Sequence, residues 1–298
     1  MGDQLWTSRI TGYRRRGTRL AELLPLLGGS VVLRAILEPL QSVALGSSAS
    51  EMRGILDNRG FDVAGVQESR DGPVLGFVIR ENLRSGTIGE YLKRFSDDDL
   101  ITDQTTIPQL FAILGKTKRA FVTLHREVRG IVTHADLNKP PIRVYLFGLI
   151  SLLEMHLQFW VSEVYPNGSW EKGMQGARLD TAIDLQARRR QVDGAISLFD
   201  CLQFADKAQL VTAQPKMIDT LALGSKSNAK KLLGKAERLR NDLAHSQLDL
   251  VHGTSWAVLL DQVQAIEKLI HRSDQIIEEK FRQPDQSRQG GLWVFADR

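Results

Sequence analysis

The stretch RLRNDLAHSQ, residues 238–247, brings an arginine, an asparagine and a histidine within six positions. Arg240, Asn241 and His245 are chemically complementary. An imidazole exchanges protons near neutral pH and can serve as general acid or base. A guanidinium grips phosphate or carboxylate oxygens through a bidentate fork. The spacing alone says little, because Arg129 and His134 repeat it. On an ideal helix, residues five apart stand about 140° from one another, whereas Asn241 and His245, four apart, share a face. The plain alternative is a basic helix end, where each cation gains about 0.3–1 kcal/mol from the macrodipole. Glu154 and His156 interrupt the longest apolar run, Val144 to Val161. A buried carboxylate there needs a partner, and Arg240 is one candidate.

Composition narrows the setting. The chain has 298 residues, a net charge of +4 and a single cysteine. That length suits about two domains. The charge is too small for a strong global field toward nucleic acid, but it is clustered. Residues 1–20 hold five arginines against Asp3, and residues 225–245 hold six basic residues against two acidic ones. A lone cysteine excludes an intrachain disulfide and a cysteine-based zinc cluster. Cys201 reads as a buried structural thiol and a reducing cytoplasm as its setting. No signal-peptide pattern is visible, and Trp6 breaks the myristoylation pattern. The run 144–161 carries Glu154, His156 and Gln158, so it reads as a buried core helix with no membrane span expected.

The chain changes texture near residue 140, at LNKPPIRV. Before it lies an internal repeat. SSASEMRGIL (47–56) matches TTIPQLFAIL (105–114), each opening on hydroxyls suited to cap a helix. Next come β-rich runs, DVAGV (62–66) and RAFVTL (119–124), and then glycine-led strands, GFVIREN (76–82) and GIVTHAD (130–136). The offset is 58 residues at the helices and 54 at the last strands. Each copy is predicted as helix–strand–strand–helix, about 60 residues long.

GIVTHADL resembles the closing signature of a CBS module, glycine–apolar–x–Thr–x–x–Asp, and two such modules form a tandem (Bateman) pair over roughly residues 30–140. The resemblance implies binding of an adenine nucleotide or related adenosyl ligand, with Thr133 at phosphate and Asp136 at the ribose hydroxyls. Such contacts suit a hydroxyl donor and a two-oxygen acceptor. The first copy departs from the pattern. Ile79 stands where the threonine would be and Asn82 where the aspartate would be, so Asn82 keeps a sugar contact and the phosphate contact is lost. The alternative for Thr133 and Asp136 is a strand exit followed by a helix cap.

After residue 140, four helices are predicted at about 143–163, 178–205, 228–244 and 255–281. The second is interrupted by Arg188–Arg190, a solvated face or an RNA contact. RNDLAH at the end of the third helix of such a bundle is similar to the motif of the HEPN family, over about residues 142–282. That resemblance implies a metal-independent endoribonuclease that acts as a homodimer, with His245, Arg240 and Asn241 at the site and Glu154 in support. RNA supplies its own nucleophile, the 2′-hydroxyl, so histidine as base or acid and arginine as phosphate clamp suffice. One histidine per chain is one too few, and a two-fold dimer supplies the second.

The expected architecture is thus α+β. A basic segment (1–28) precedes a tandem CBS-like α/β pair (29–140), an all-α four-helix HEPN-like bundle (141–283) and a polar tail (284–298). The expected function is a nucleotide-regulated ribonuclease with RNA as substrate, suited by analogy to stress or defence. The alternative is a non-catalytic nucleotide-sensing dimeric scaffold whose helical part binds RNA or a protein partner. No metal is expected.

Overall fold

A computed structural model describes residues 20–27, 31–69, 72–174, 176–192, 194–245, 249–251 and 255–282. The predicted basic segment before residue 20, His252 and the tail after Arg282 lie outside them. The chain forms two compact units. The first contains residues 24–148 and 242–261, and the second contains Leu149–Asn241 and residues 262–282, with residues 20–23.

The first unit holds the repeat. Helices α1 (Leu20–Leu27) and α2 (Val31–Ile36) and the two-residue strand β1 (Glu38–Pro39) lead into copy one: β2 (Ser42–Ala44), α3 (Ala49–Arg59), β3 (Val63–Gln67) and β4 (Val74–Ile79). The short strand β5 (Lys93–Arg94) leads into copy two: β6 (Leu100–Thr102), α4 (Ile107–Leu114), β7 (Arg119–Leu124) and β8 (Glu127–Thr133). Both helices start as the hydroxyl pattern predicts. Ser48 accepts from the Glu51 amide at 3.4 Å. Thr106 and Gln109 cap reciprocally, the Thr106 amide donating to Gln109 Oε1 at 2.9 Å.

In each copy the first strand runs parallel to the second and the second antiparallel to the third. The fourth strand is exchanged. β1, which leads into copy one, completes the sheet of copy two, with order β1–β8–β7–β6. β5, which leads into copy two, completes the sheet of copy one, with order β2–β3–β4–β5. The expected leading glycines fall inside the last strands, third in β4 and fourth in β8, and this exchange explains them. Gly76 pairs with Arg94 and Gly130 with Pro39. A Cβ on Gly76 would lie 2.1 Å from the Lys93 carbonyl oxygen, and one on Gly130 would lie 3.3 Å from that of Glu38.

The sheets share a core of Val63, Phe77, Phe121 and Val128. Phe77, Phe95 and Phe121 form an aromatic triangle with centroids 4.7–5.7 Å apart. Rings at such spacing add about 0.5–1.5 kcal/mol per pair beyond their buried area. The turn from β7 to β8 places His125 at φ 52° and Arg126 at φ 69°. Two left-handed residues in a two-residue hairpin match the twist of the flanking strands. The closing helix of each copy differs from expectation: it is a 3₁₀ segment, Arg80–Asn82 in copy one and His134–Asn138 in copy two.

Helix α5 (Pro140–Val164) follows directly. The two prolines that were expected to mark a join open this helix instead, a position where the missing amide proton costs nothing. By length and composition α5 could cross a membrane, yet Ile142, Tyr145, Leu146, Leu149, Ile150, Leu153, Leu157 and Val161 are all buried in the fold. Val144 and Phe147 are exposed.

The predicted helix 178–205 is in fact broken. Helix α6 (Gly176–Arg190) ends on the three arginines, which favour a C-terminus through the macrodipole. A 3₁₀ turn at Phe199–Cys201 and helices α7 (Phe204–Thr212) and α8 (Pro215–Thr220) follow. Cys201 is buried, as its apolar neighbours predict. Helices α9 (Lys226–Ala244) and α10 (Trp256–Arg282) match the expected third and fourth helices within two residues. The buried stripe of α9 is Ala229, Leu233, Ala236, Leu239 and Leu243, spaced by four, three, three and four.

Candidate functional site

The strand end of copy two holds a cluster of polar side chains around Asp136. β8 leaves the sheet at Thr133, and the 3₁₀ segment begins. Asp136 is 5% exposed. Its Oδ2 accepts from the Thr133 amide at 2.7 Å and from the Thr133 hydroxyl at 3.0 Å. Its Oδ1 pairs with Lys139 Nζ at 2.8 Å. Lys139 also donates to the Ile36 carbonyl and pairs with Glu38 of β1. Burial works against the ammonium, but hydrogen bonds to Asp136 and Glu38 outweigh it and raise Lys139 above the ordinary lysine value. The cap alternative therefore describes the resting geometry. The Thr133 proton, predicted for a phosphate, goes to Asp136.

The matching place in copy one lacks this cluster. Ile79 makes no side-chain cap bond and Asn82 is exposed. The second arginine–histidine pair is an accident of spacing. Arg129 is exposed and pairs with Glu127. His134 bonds the Leu114 carbonyl through Nε2 at 2.8 Å and stacks on Trp256, with centroids 5.8 Å apart.

Arg240 precedes the last turn of α9, Asn241 opens that turn, and His245 is the first residue beyond the helix. Arg240 and His245 are exposed. Arg240 donates to the Asn241 side-chain oxygen at 3.2 Å. Arg238, also exposed, lies two positions before Arg240 on α9.

Glu154 does not partner Arg240. Its Oε1 accepts from Lys207 Nζ at 2.8 Å, and the Lys207 side chain is 6% exposed. Spacing could not reveal this, because Lys207 lies on α7, 53 residues away.

His156 is fully enclosed. Trp160 Nε1 donates to Ser273 Oγ at 2.6 Å, and His156 Nδ1 lies 2.7 Å from the same oxygen. His156 Nε2 lies 3.5 Å from Asp274 Oδ1 and has no hydrogen-bond partner. This serine–histidine–aspartate set is sealed, with Ser273 and His156 each 1% exposed, so it offers no nucleophile to a substrate. Loss of hydration pushes His156 down to about 4 from the usual 6.5. A histidine held neutral in the native state destabilises the fold once the unfolded chain takes up its proton. Stability is expected to fall by about 1.4 kcal/mol per pH unit between roughly pH 6.5 and 4, then level off. Urea melts of wild type and His156→Gln at pH 7 and 4.5 test this. The variant should lose clearly less stability on acidification, and equal losses would show that His156 is not the group responsible.

Among the described residues, no group of three or more histidine, cysteine, aspartate or glutamate side chains converges as a metal ion requires. A hollow of 380 Å³ in the helical unit is lined by Tyr165, Trp170, Glu171, Phe199 and their neighbours, and holds none of the predicted residues.

No family model matches the chain, and no curated protein matches it. Solved structures similar to part of it include CBS-domain proteins. A CBS-domain protein of Agrobacterium tumefaciens is 17% identical, covering 37% of this chain and 91% of that one at a TM-score of 0.32. The CBS domain of a bacterial CNNM/CorC-family Mg²⁺ transporter, solved with ATP, is 16% identical over 41% of this chain and 91% of that one, also at 0.32. CbpB in complex with c-di-AMP is 16% identical over 41% of this chain and 90% of that one, again at 0.32.

Proposed function

We propose that the chain is a nucleotide-responsive protein. Its repeated α/β part acts as a tandem CBS-type sensor that takes an adenine nucleotide or related adenosyl ligand, and its long helices carry the output. The observation that supports this is the pair of β–α–β–β copies that exchange strands and end on one buried carboxylate, Asp136, at the second strand exit. A carboxylate so placed can accept both hydroxyls of a ribose. Copy one offers only Asn82, so one site per pair is expected to bind. α5 begins four residues after Asp136, which ties the site to the start of a 25-residue helix. A ligand that prefers one arrangement of that helix start would shift its population. Titration calorimetry with ATP and with c-di-AMP tests the reading, against Asp136→Asn as the impaired variant.

A second reading concerns the output. Arg238 and Arg240 on α9 and His245 just after it are exposed. This supports RNA as the partner and metal-independent cleavage as the activity. His245 would deprotonate the 2′-hydroxyl and an arginine would hold the phosphorane charge, leaving a 2′,3′-cyclic phosphate and a 5′-hydroxyl. A second copy of the chain would supply the acid. The test is RNA incubated in EDTA, with and without ATP, using wild type, His245→Ala, Arg240→Ala and Arg238→Ala. His245→Ala should reduce cleavage at least 100-fold, in line with loss of a general acid or base. Cleavage unchanged in His245→Ala removes the catalytic assignment. Absence of cleavage throughout leaves the non-catalytic scaffold, and a salt-dependent shift of labelled RNA then measures binding alone.

A further inference from the structure

We propose that Lys139 is the residue that selects the ligand of the copy-two site, holding Asp136 shut until a molecule carrying both an anionic group and a sugar diol displaces it. This rests on the reading of Asp136 as the nucleotide carboxylate.

The reasoning is a count of donors and acceptors. An ammonium has three donors. Those of Lys139 go to the Ile36 carbonyl, Glu38 and Asp136. Asp136 has about four acceptor positions, of which the two Thr133 donors take both on Oδ2 and Lys139 takes one on Oδ1. One position remains, so the two hydroxyls of a sugar diol cannot both bond the carboxylate unless Lys139 leaves it. If the arriving molecule brings only hydroxyls, Asp136 is satisfied but the half-buried ammonium loses an acceptor. If the molecule also brings a phosphate oxygen, the ammonium exchanges a carboxylate for a phosphate and every group stays paired. The Lys139 side chain is 27% exposed, so it has room to turn while keeping Ile36 and Glu38. A lysine also supplies the phosphate contact that Thr133, whose proton is committed to Asp136, does not.

The exchange has a structural reach. The three acceptors of Lys139 come from the end of α2, from the exchanged strand β1 and from the 3₁₀ segment, and the next residue opens α5. Occupancy of the site thus acts on a side chain that fastens β1 to the start of α5.

The experiment is calorimetric titration of the full chain with ATP and with adenosine, for wild type, Lys139→Gln and Lys139→Arg. Wild type is expected to prefer ATP over adenosine by at least tenfold. Lys139→Gln, with its carboxylate open and its anion partner gone, is expected to bind adenosine about tenfold tighter than wild type and to lose most of the preference. Lys139→Arg keeps a cation and should retain it. Circular dichroism checks that each variant is folded. An ATP-to-adenosine ratio in Lys139→Gln equal to that of wild type overturns the role of Lys139 while leaving the nucleotide site standing. If neither ligand binds wild type or Lys139→Gln, the nucleotide reading fails, and the role of Lys139 falls with it.

Discussion

Gly76→Ala is expected to destabilise the chain by about 3 kcal/mol, the upper end of the usual cost of overpacking. The added Cβ would stand 2.1 Å from the Lys93 carbonyl oxygen, and backbone cannot swing aside as a side-chain tip can. β5 would have to leave the sheet of copy one. Gly130→Ala, at the equivalent place in copy two, meets Leu37 Cδ1 at 3.0 Å and the Glu38 carbonyl oxygen at 3.3 Å. A leucine tip yields, so about 1 kcal/mol is expected there. Gly54→Ala is the control. Gly54 lies inside α3 with nothing within 4 Å of an added Cβ, and alanine should stabilise by about 0.5–1 kcal/mol. Urea melts of the three variants give the order directly. A Gly76→Ala variant as stable as wild type would contradict the exchanged strand.

Glu154→Gln is expected to cost about 3 kcal/mol, because it strands Lys207, which is 6% exposed, without a counter-charge. The glutamate is 25% exposed, so water relieves part of the loss and the lower end of the range for broken buried pairs applies. The double variant Glu154→Leu with Lys207→Met should recover most of the stability, since apolar residues of similar size often replace a buried pair at no cost. If Glu154 instead supports Arg240, Glu154→Gln would leave the urea midpoint unchanged and Lys207→Met would not be coupled to it. The double-mutant cycle separates the two roles.

What could be read from the sequence was what is encoded locally. The capping hydroxyls at Ser48 and Thr106 sit directly before their helices, and the repeat offsets of 58 and 54 follow from two copies of one plan. The apolar spacing of α9 and α10 marks their ends within two residues. What could not be read depends on contacts distant in sequence. β1 and β5 are two residues each, too short for any periodicity, and Glu38 finds its partner Ile131 only through the exchange. The sequence offered Arg240 as a partner for Glu154, and packing supplied Lys207 instead. Lys139 carried no signal at all: one lysine before two prolines looks like a linker. The arginine–histidine spacing was legible as a pattern, but α9 ends at Ala244, so His245 falls outside the helix whose geometry the spacing assumes.

The central claim is that the strand exit of copy two binds an adenine nucleotide. Thermal unfolding of the full chain with increasing ATP and c-di-AMP measures it most directly. Binding to the native state alone stabilises by about 2.7 kcal/mol at a ligand concentration 100 times Kd. The midpoint should therefore rise steadily with at least one of them in wild type and rise far less in Asp136→Asn. A midpoint that does not move at millimolar concentrations of either, or that moves equally in Asp136→Asn, would contradict the account.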